Sequence, residues 1–373
     1  MPSGRRTQES LNFLPMRICA YRTYATRTQV LISGRVLANR PPAELRGGDG
    51  FWRSLLDAYH RFETDEVPHV PVAIRFEGRE HTTHTDREGY YQLELPRHEQ
   101  SDREWLPVEA RCTVRGQEIS AAHEIVAPSC DAEFGVISDL DDTVIETNVT
   151  EMLTAAKLTF MGNAKTRKPL EGVAALYASL ASGRAGRPLN PLFYVSSSPW
   201  NLYDLLCEFM ELNEIPKGPI FLRDYGIGRK QLFSSRSHRG KLDRTLKVMA
   251  DFPELPFVLI GDSGQHDAGL YAEAAALHPD RIKAIYIRDV DPATATKRDD
   301  LVRDHIKTAA QHGVPMLLAP DSQAMAQHAA ELGLISARKE AEVQVEVAKD
   351  YERPKPATAA VTGALGIEKL DEK

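Results

Sequence analysis

The sequence predicts an α/β fold, a doubly wound parallel sheet preceded by a small β-sandwich. Two observations carry that expectation. From residue 30 to about 130, short β-like runs alternate with turn signals, whereas beyond 130 apolar strand-like runs alternate with helical patterns. The length agrees, since 373 residues suit two or three domains at roughly 150 each. With 42% hydrophobic and 27% charged residues, the chain has ordinary globular usage, which excludes disordered, collagenous and disulfide-scaffold classes. The expected division is a β-sandwich-like domain over 15–130, an α/β domain over 131–337 and a flexible tail over 338–373.

In the first part, strands are expected at 30–37, 70–76, 90–95, 108–114 and 119–125. Gly89, in the sequence Asp86-Arg87-Glu88-Gly89-Tyr90, supplies the positive φ of a turn before the third. Phe51, Leu55, Tyr59 and Phe62 stand at helical spacing, so a helix is expected there. The first 40 residues hold seven arginines against one acid, Glu9. A transit peptide or membrane patch is disfavoured by Pro15 and by the strand-like run that follows, leaving a basic domain edge. Cys19, Cys112, Cys130 and Cys207 form no CxxC pair, so neither zinc nor a disulfide framework is indicated. His81, His84 and His123 read as surface or core residues rather than ligands.

In the second part, apolar runs at 134–138, 192–196, 220–222, 257–260, 284–287 and 315–318 read as buried strands, with helices at 173–180, 202–212 and 242–250 between them. Such sheets gather ligands at the carboxyl ends of their strands. The first run ends in Asp139-Leu140-Asp141-Asp142-Thr143, where clustered acids raise one another's pKa unless a hard cation such as Mg²⁺ joins them. The second ends in Ser196-Ser197-Ser198-Pro199-Trp200, whose hydroxyl and N–H groups suit a phosphoryl oxygen. Lys241 opens a helix, and a later run ends in Gly261-Asp262-Ser263-Gly264-Gln265-His266-Asp267. Each piece also reads as an ordinary helix cap, and Lys241 alone as a surface cation. The GDSG tetrapeptide also occurs around serine-protease nucleophiles, but that needs an all-β context.

Taken in order, DxDxT, a strand-end serine, a lysine and GDxxxxD resemble the haloacid dehalogenase superfamily, and Lys241 precedes Asp262 by 21 residues, as that pattern requires. The stretches Ser138–Thr143, Tyr194–Leu202, Lys241–Asp243, Val258–Asp267 and Ala284–Val290 further resemble the catalytic domain of actin-patch phosphatidate phosphatases. Ala20-Tyr21-Arg22-Thr23-Tyr24 and the stretch 85–90 resemble the small β domain of bacterial members, so the likeness spans about 15–335.

The resemblance implies a phosphoric monoester hydrolase that converts phosphatidate to diacylglycerol. Asp139 would be the nucleophile and Asp141 the general acid and base. Ser196 and Lys241 would stabilise phosphoryl charge, with Thr143 and Ser197 also binding substrate. Mg²⁺ would be held by Asp139, Asp141 and Asp262, with Asp267 orienting Lys241 or the metal shell. Asp142 would face away. The gaps 144–191 and 199–240, of 48 and 42 residues, leave little for a lid, which suits a bulky phosphomonoester. Arg223, Arg229, Trp200 and Phe233 read equally as a rim for peripheral membrane contact and as a solvated loop. The alternatives are another bulky phosphomonoester, such as a phosphoprotein or metabolite, and a non-catalytic module that recruits a partner through its β domain. A net charge of −7 excludes an extended nucleic-acid surface. With no apolar run near the bilayer-spanning length of about 20 residues, a cytoplasmic location is expected.

Overall fold

The computed structural model describes residues 16–38, 66–98, 104–140, 170–187, 189–223, 239–294 and 296–352. The expected helix at 51–62, and Asp141, Asp142, Thr143, Arg229 and Phe233, lie outside the described residues. The described chain is mixed α/β, with one six-stranded parallel sheet and two smaller, largely antiparallel ones.

The amino-terminal part builds both smaller sheets. The strands β1 (Met16–Ala20), β3 (Gln29–Ala38) and β6 (Tyr90–Pro96) pair in the order β1-β3-β6. A five-stranded sheet runs in the order β2 (Thr23–Tyr24), β8 (Gln117–Val126), β7 (Trp105–Val114), β4 (Pro71–Phe76), β5 (Arg79–His84). In β7 every second residue, from Leu106 to Val114, is buried, the period that puts one face of a strand against a core. The two sheets share one apolar cluster, including Ile32, Val36 and Tyr91 from the first and Ile74, Val108 and Ile125 from the second. Gly89 does take a positive φ of 79°, and Asp86 Oδ1 accepts the N–H groups of Glu88 and Tyr90 at 3.0 and 2.9 Å. His123 is a core residue here. It shares a 2.8 Å hydrogen bond with the Tyr91 hydroxyl, and burial lowers its pKa to about 4.

The parallel sheet comprises β9 (Gly135–Asp139), β10 (Leu192–Pro199), β11 (Ile220–Arg223), β12 (Phe257–Asp262), β13 (Ile282–Arg288) and β14 (Met316–Ala319), in the order β11-β10-β9-β12-β13-β14. The chain starts in the middle, moves outward to β11, then returns and moves outward to β14. Its direction therefore reverses between β9 and β12, the place where such sheets open a crevice. Successive residues of β9 serve opposite faces. Val136 joins a cluster with α1 (Val173–Ser182), α2 (Tyr203–Leu212) and α6 (Ser322–Glu331). Ile137 joins a second with α3 (Arg239–Asp251), α4 (Asp267–Leu277) and α5 (Lys297–Gln311).

The α3 helix is held at its far end. Arg281 donates through one guanidinium nitrogen to the carbonyls of Met249, Phe252 and Leu255 at 3.0, 2.7 and 2.8 Å, and the Tyr24 hydroxyl donates to Asp251.

Part of the expected tail is ordered. Residues 337–352 form a further helix, α7 (Ala337–Glu352), with Val343 and Val347 fully buried against α1 and α6. Composition hid this because Glu, Lys and Ala are good helix formers, and two valines one turn apart suffice to dock the helix. Residues 353–373 lie outside the described residues.

Candidate active site

Each strand-end acid is positioned by the strand that precedes it. β9 delivers Asp139 and the adjacent β12 delivers Asp262, on either side of the point where the sheet reverses direction. Asp139 is anchored from behind, since Ser138 Oγ donates to its carbonyl at 2.7 Å and lies 2.6 Å from the Tyr177 hydroxyl on α1.

Lys241 enters from the first turn of α3. Its Nζ lies 3.1 Å from Asp139 Oδ2, 2.7 Å from Asp267 Oδ1 and 3.3 Å from Gln265 Oε1. Burial opposes its charge, but Asp139 and Asp267 outweigh that and hold the ammonium firmly protonated. Carboxylate oxygens of Asp139, Asp262 and Asp267 lie within 4.8 Å of one another, and all three residues are buried. Burial first, then the charge of Asp267, raises the Asp262 carboxyl to about 7, against the pull of Lys241.

The three acids are not equivalent. Asp267 spends Oδ1 on Lys241 and accepts the Asp262 N–H at Oδ2, 3.3 Å away. Gly261 makes room for this, because a Cβ there would lie 2.6 Å from the Asp267 carboxylate. Asp262 accepts the Gln265 N–H at Oδ1, 2.7 Å away, while its buried Oδ2 accepts no hydrogen bond among the described residues. An acceptor left that way is costly unless a cation completes it, and an all-oxygen donor set suits a hard divalent ion. The residues therefore fit a metal between Asp139 and Asp262, with Asp267 as their support.

Ser196 follows Val195, the β10 residue paired with Asp139 on β9, so it lies beside the acids at the same sheet edge. Ser196 Oγ accepts the Ser198 N–H at 2.9 Å, closing a small turn, and Ser197 is exposed. The structure thus brings Asp139, Lys241, Asp262 and Asp267 together, with Ser196 and Ser197 at the adjoining strand end. Asp141 and Thr143 lie outside the described residues. Two supporting residues were assigned no role from sequence. Gln265 stands inside a recognisable motif and could have been picked out, whereas Tyr177 reads only as a core position on a helix.

Trp200 does not stand free as part of a membrane-facing rim. It packs on the core, its ring stacked at 4.2 Å on Tyr21 of the amino-terminal part. The described arginines of the amino-terminal segment are similarly engaged. Arg17 pairs with Asp204 at 2.7 Å, Arg22 with Glu124 and Glu211 at 2.6 and 2.8 Å, and Arg27 with Glu254 at 2.8 Å.

Residues 134–289 match the family described as phosphatidate phosphatase APP1, catalytic domain. Over 156 residues, 42% of this chain, the sequence is 34% identical to phosphatidate phosphatase APP1 of Saccharomyces cerevisiae. Over 158 residues it is 32% identical to an uncharacterized protein of Schizosaccharomyces pombe. The chain spans about a quarter of the length of these relatives, 26% and 25%. Among solved structures, a carbohydrate acetylesterase from Xanthomonas citri reaches a TM-score of only 0.26 at 12% identity, over 78% of this chain and 72% of that one. That likeness is too slight to bear on the fold. The sequence match covers β9 to β13, the span that carries every described acid of the site, so the likeness to phosphatidate phosphatase APP1 catalytic domains falls on the strands that deliver Asp139 and Asp262.

Proposed function

We propose that the chain is a Mg²⁺-dependent phosphatidate phosphatase, releasing diacylglycerol and phosphate through an aspartyl-phosphate. The observation that carries this is the Lys241 ammonium between Asp139 and Asp267, 3.1 and 2.7 Å away, with Asp262 Oδ2 left to a cation. Asp139, Asp141 and Asp262 would hold Mg²⁺, which supplies Lewis-acid polarisation of the phosphoryl oxygens.

Asp139 attacks phosphorus as the bond to the leaving alkoxide breaks, and Asp141 gives that oxygen its proton. Asp141 then takes a proton from water, whose oxygen attacks phosphorus and frees the Asp139 carboxylate. Lys241, Ser196, Ser197 and Thr143 hold the phosphoryl oxygens, and Asp267 keeps Lys241 in place.

We further read the parallel sheet as doubly wound and of the haloacid dehalogenase type, which its reversal of strand order and the helices on its two faces support. The two sheets around one apolar cluster are read as a β-sandwich domain over 15–130, with the catalytic domain beginning at 131 and continuing through α7. No helix among the described residues is long and apolar enough to cross a membrane. We read the protein as cytoplasmic, meeting a lipid substrate by peripheral contact.

Phosphate release from phosphatidate in mixed micelles, beside soluble phosphoesters, with Mg²⁺ and with a chelator, tests this. Release from phosphatidate that stops on chelation is the expected result. Turnover of soluble esters alone overturns the lipid, and no release from any substrate overturns the enzyme.

A further inference from the structure

The register of β9 with β10 runs to Asp139, opposite Val195, and its register with β12 runs to Ser138, opposite Ile260. At this end of the strand, side chains also tie it to α1. Ser138 Oγ lies 2.7 Å from the Asp139 carbonyl oxygen and 2.6 Å from the Tyr177 hydroxyl, and all three residues are 0% exposed. The carbonyl can only accept, so it takes the one proton of the serine, and Tyr177 must then donate to Ser138 Oγ. The two bonds run in one direction, from the phenol through the serine to the backbone of Asp139. Burial pushes the Tyr177 hydroxyl up from its ordinary pKa, which keeps the first proton in place.

Tyr177 is itself held. Its ring is tilted against that of Tyr194, the β10 residue opposite Ser138, with centres 6.2 Å apart. The helix that carries it is capped by Gly172, whose N–H donates to Asp350 of α7 at 3.0 Å. A Cβ on Gly172 would fall 2.2 Å from Val347, so α7 lies directly on the start of α1. The hydroxyl therefore meets Ser138 from a fixed base. A bond to the Asp139 carbonyl sets the rotation of the peptide that follows, and rotation there moves the carboxylate relative to Lys241.

We propose that Tyr177 is a positioning residue for Asp139, acting through Ser138. This rests on the reading of Asp139 as the nucleophile given above. The effect of Tyr177 falls on the attack of Asp139 on phosphorus, and not on the grip of Lys241 on the phosphoryl group.

The test measures kcat and KM for phosphate release by the Mg²⁺-loaded full chain, at a temperature where circular dichroism shows the compared variants folded. Tyr177→Phe removes the hydroxyl and keeps the ring. The expected result is a roughly tenfold loss of kcat with KM within about twofold, because a displaced nucleophile costs rate more than ground-state binding. Ser138→Ala breaks the same relay without changing the helix, and carries the test alone if Tyr177→Phe does not fold. It should lose kcat by a similar factor, and in its background Tyr177→Phe should cost less than about twofold, since the two act on one interaction. Tyr194→Phe is the control. Its hydroxyl donates to the Pro216 carbonyl at 2.7 Å in the same core, so this change should lower the melting temperature and leave kcat within about twofold. Wild-type kcat in Tyr177→Phe or Ser138→Ala, a loss carried by KM alone, an undiminished penalty in the double variant, or an equal kcat loss in Tyr194→Phe would each overturn the proposal. A wild-type protein that releases no phosphate, or an Asp139→Asn variant that keeps its activity, overturns the reading of Asp139, and this inference with it.

Discussion

Two clusters of charge in this molecule look alike on paper and do opposite things. Between β8 and α2, the buried guanidinium of Arg22 meets Glu124 and Glu211, whose side chains remain 42% and 55% exposed. At the strand ends, the buried ammonium of Lys241 meets Asp139 and Asp267, which are 0% and 1% exposed, with Asp262 alongside. In the first cluster Lys217, 2.8 Å from Glu124 and 3.9 Å from Glu211, supplies the second positive charge, and water reaches the exposed glutamates. In the second, one cation among the described residues faces three buried carboxylates, and burial together with the charge of Asp267 raises the Asp262 carboxyl to about 7. A hydrated cluster with two cations for two carboxylates needs nothing further, whereas a buried imbalance persists where a ligand completes it.

The largest expected effect comes from removing Asp139, the acid proposed both to attack phosphorus and to hold the metal. Asp139→Asn should lower kcat by at least about 10³-fold, because an amide cannot serve as the nucleophile. The same change relieves repulsion among the acids, so the metal-free variant should melt no lower than the metal-free wild type by calorimetry. A variant that keeps most of its activity would show that Asp139 is not the nucleophile.

A second effect separates the clusters by pH. With its folded pKa near 7, above the unfolded value of 3.8, Asp262 stabilises the metal-free protein at low pH, and that contribution is lost as pH rises from about 4 through 7. On the proposed reading Mg²⁺ would bind the ionised form, so calorimetric affinity should rise from pH 6 to pH 8, with about one proton released per ion at pH 6. Affinity that is flat across this range would place the ion elsewhere.

The smallest effect is at the Arg22 cluster. Arg22→Met should cost about 1–2 kcal/mol in denaturant unfolding, well below the cost of breaking a fully buried pair, because Glu124 and Glu211 can be hydrated where they stand. A loss of about 4 kcal/mol would show that the two clusters are more alike than their exposure suggests.

Much of the catalytic half was legible because its signals are local. Apolar runs that end abruptly in Asp139 and Asp262 mark a buried strand and its ligand edge within a few residues, and the alternation in β7 marks a strand with one wet face. What sequence could not supply was partnership across distance. Trp200 beside Arg223 reads as a rim for a surface, and only the fold reveals Tyr21 as its neighbour. The helix α7 was obscured because charged composition reads as a tail, and its two buried valines matter only once α1 and α6 are there to receive them. The strands β1 and β5 carry no isolated pattern strong enough to announce them, and take their form from the neighbours they pair with.

The clamp on the far end of α3 makes that helix a ruler. From Lys241 to Asp251, the helix residue that Tyr24 holds, it rises about 15 Å at 1.5 Å per residue. With its zero mark fixed by Arg281 and Tyr24, the reading at the other end depends on residue count. One residue inserted in α3 would turn Lys241 by about 100° and advance it 1.5 Å. Length in this helix is thus as tightly constrained as the identity of the lysine it carries.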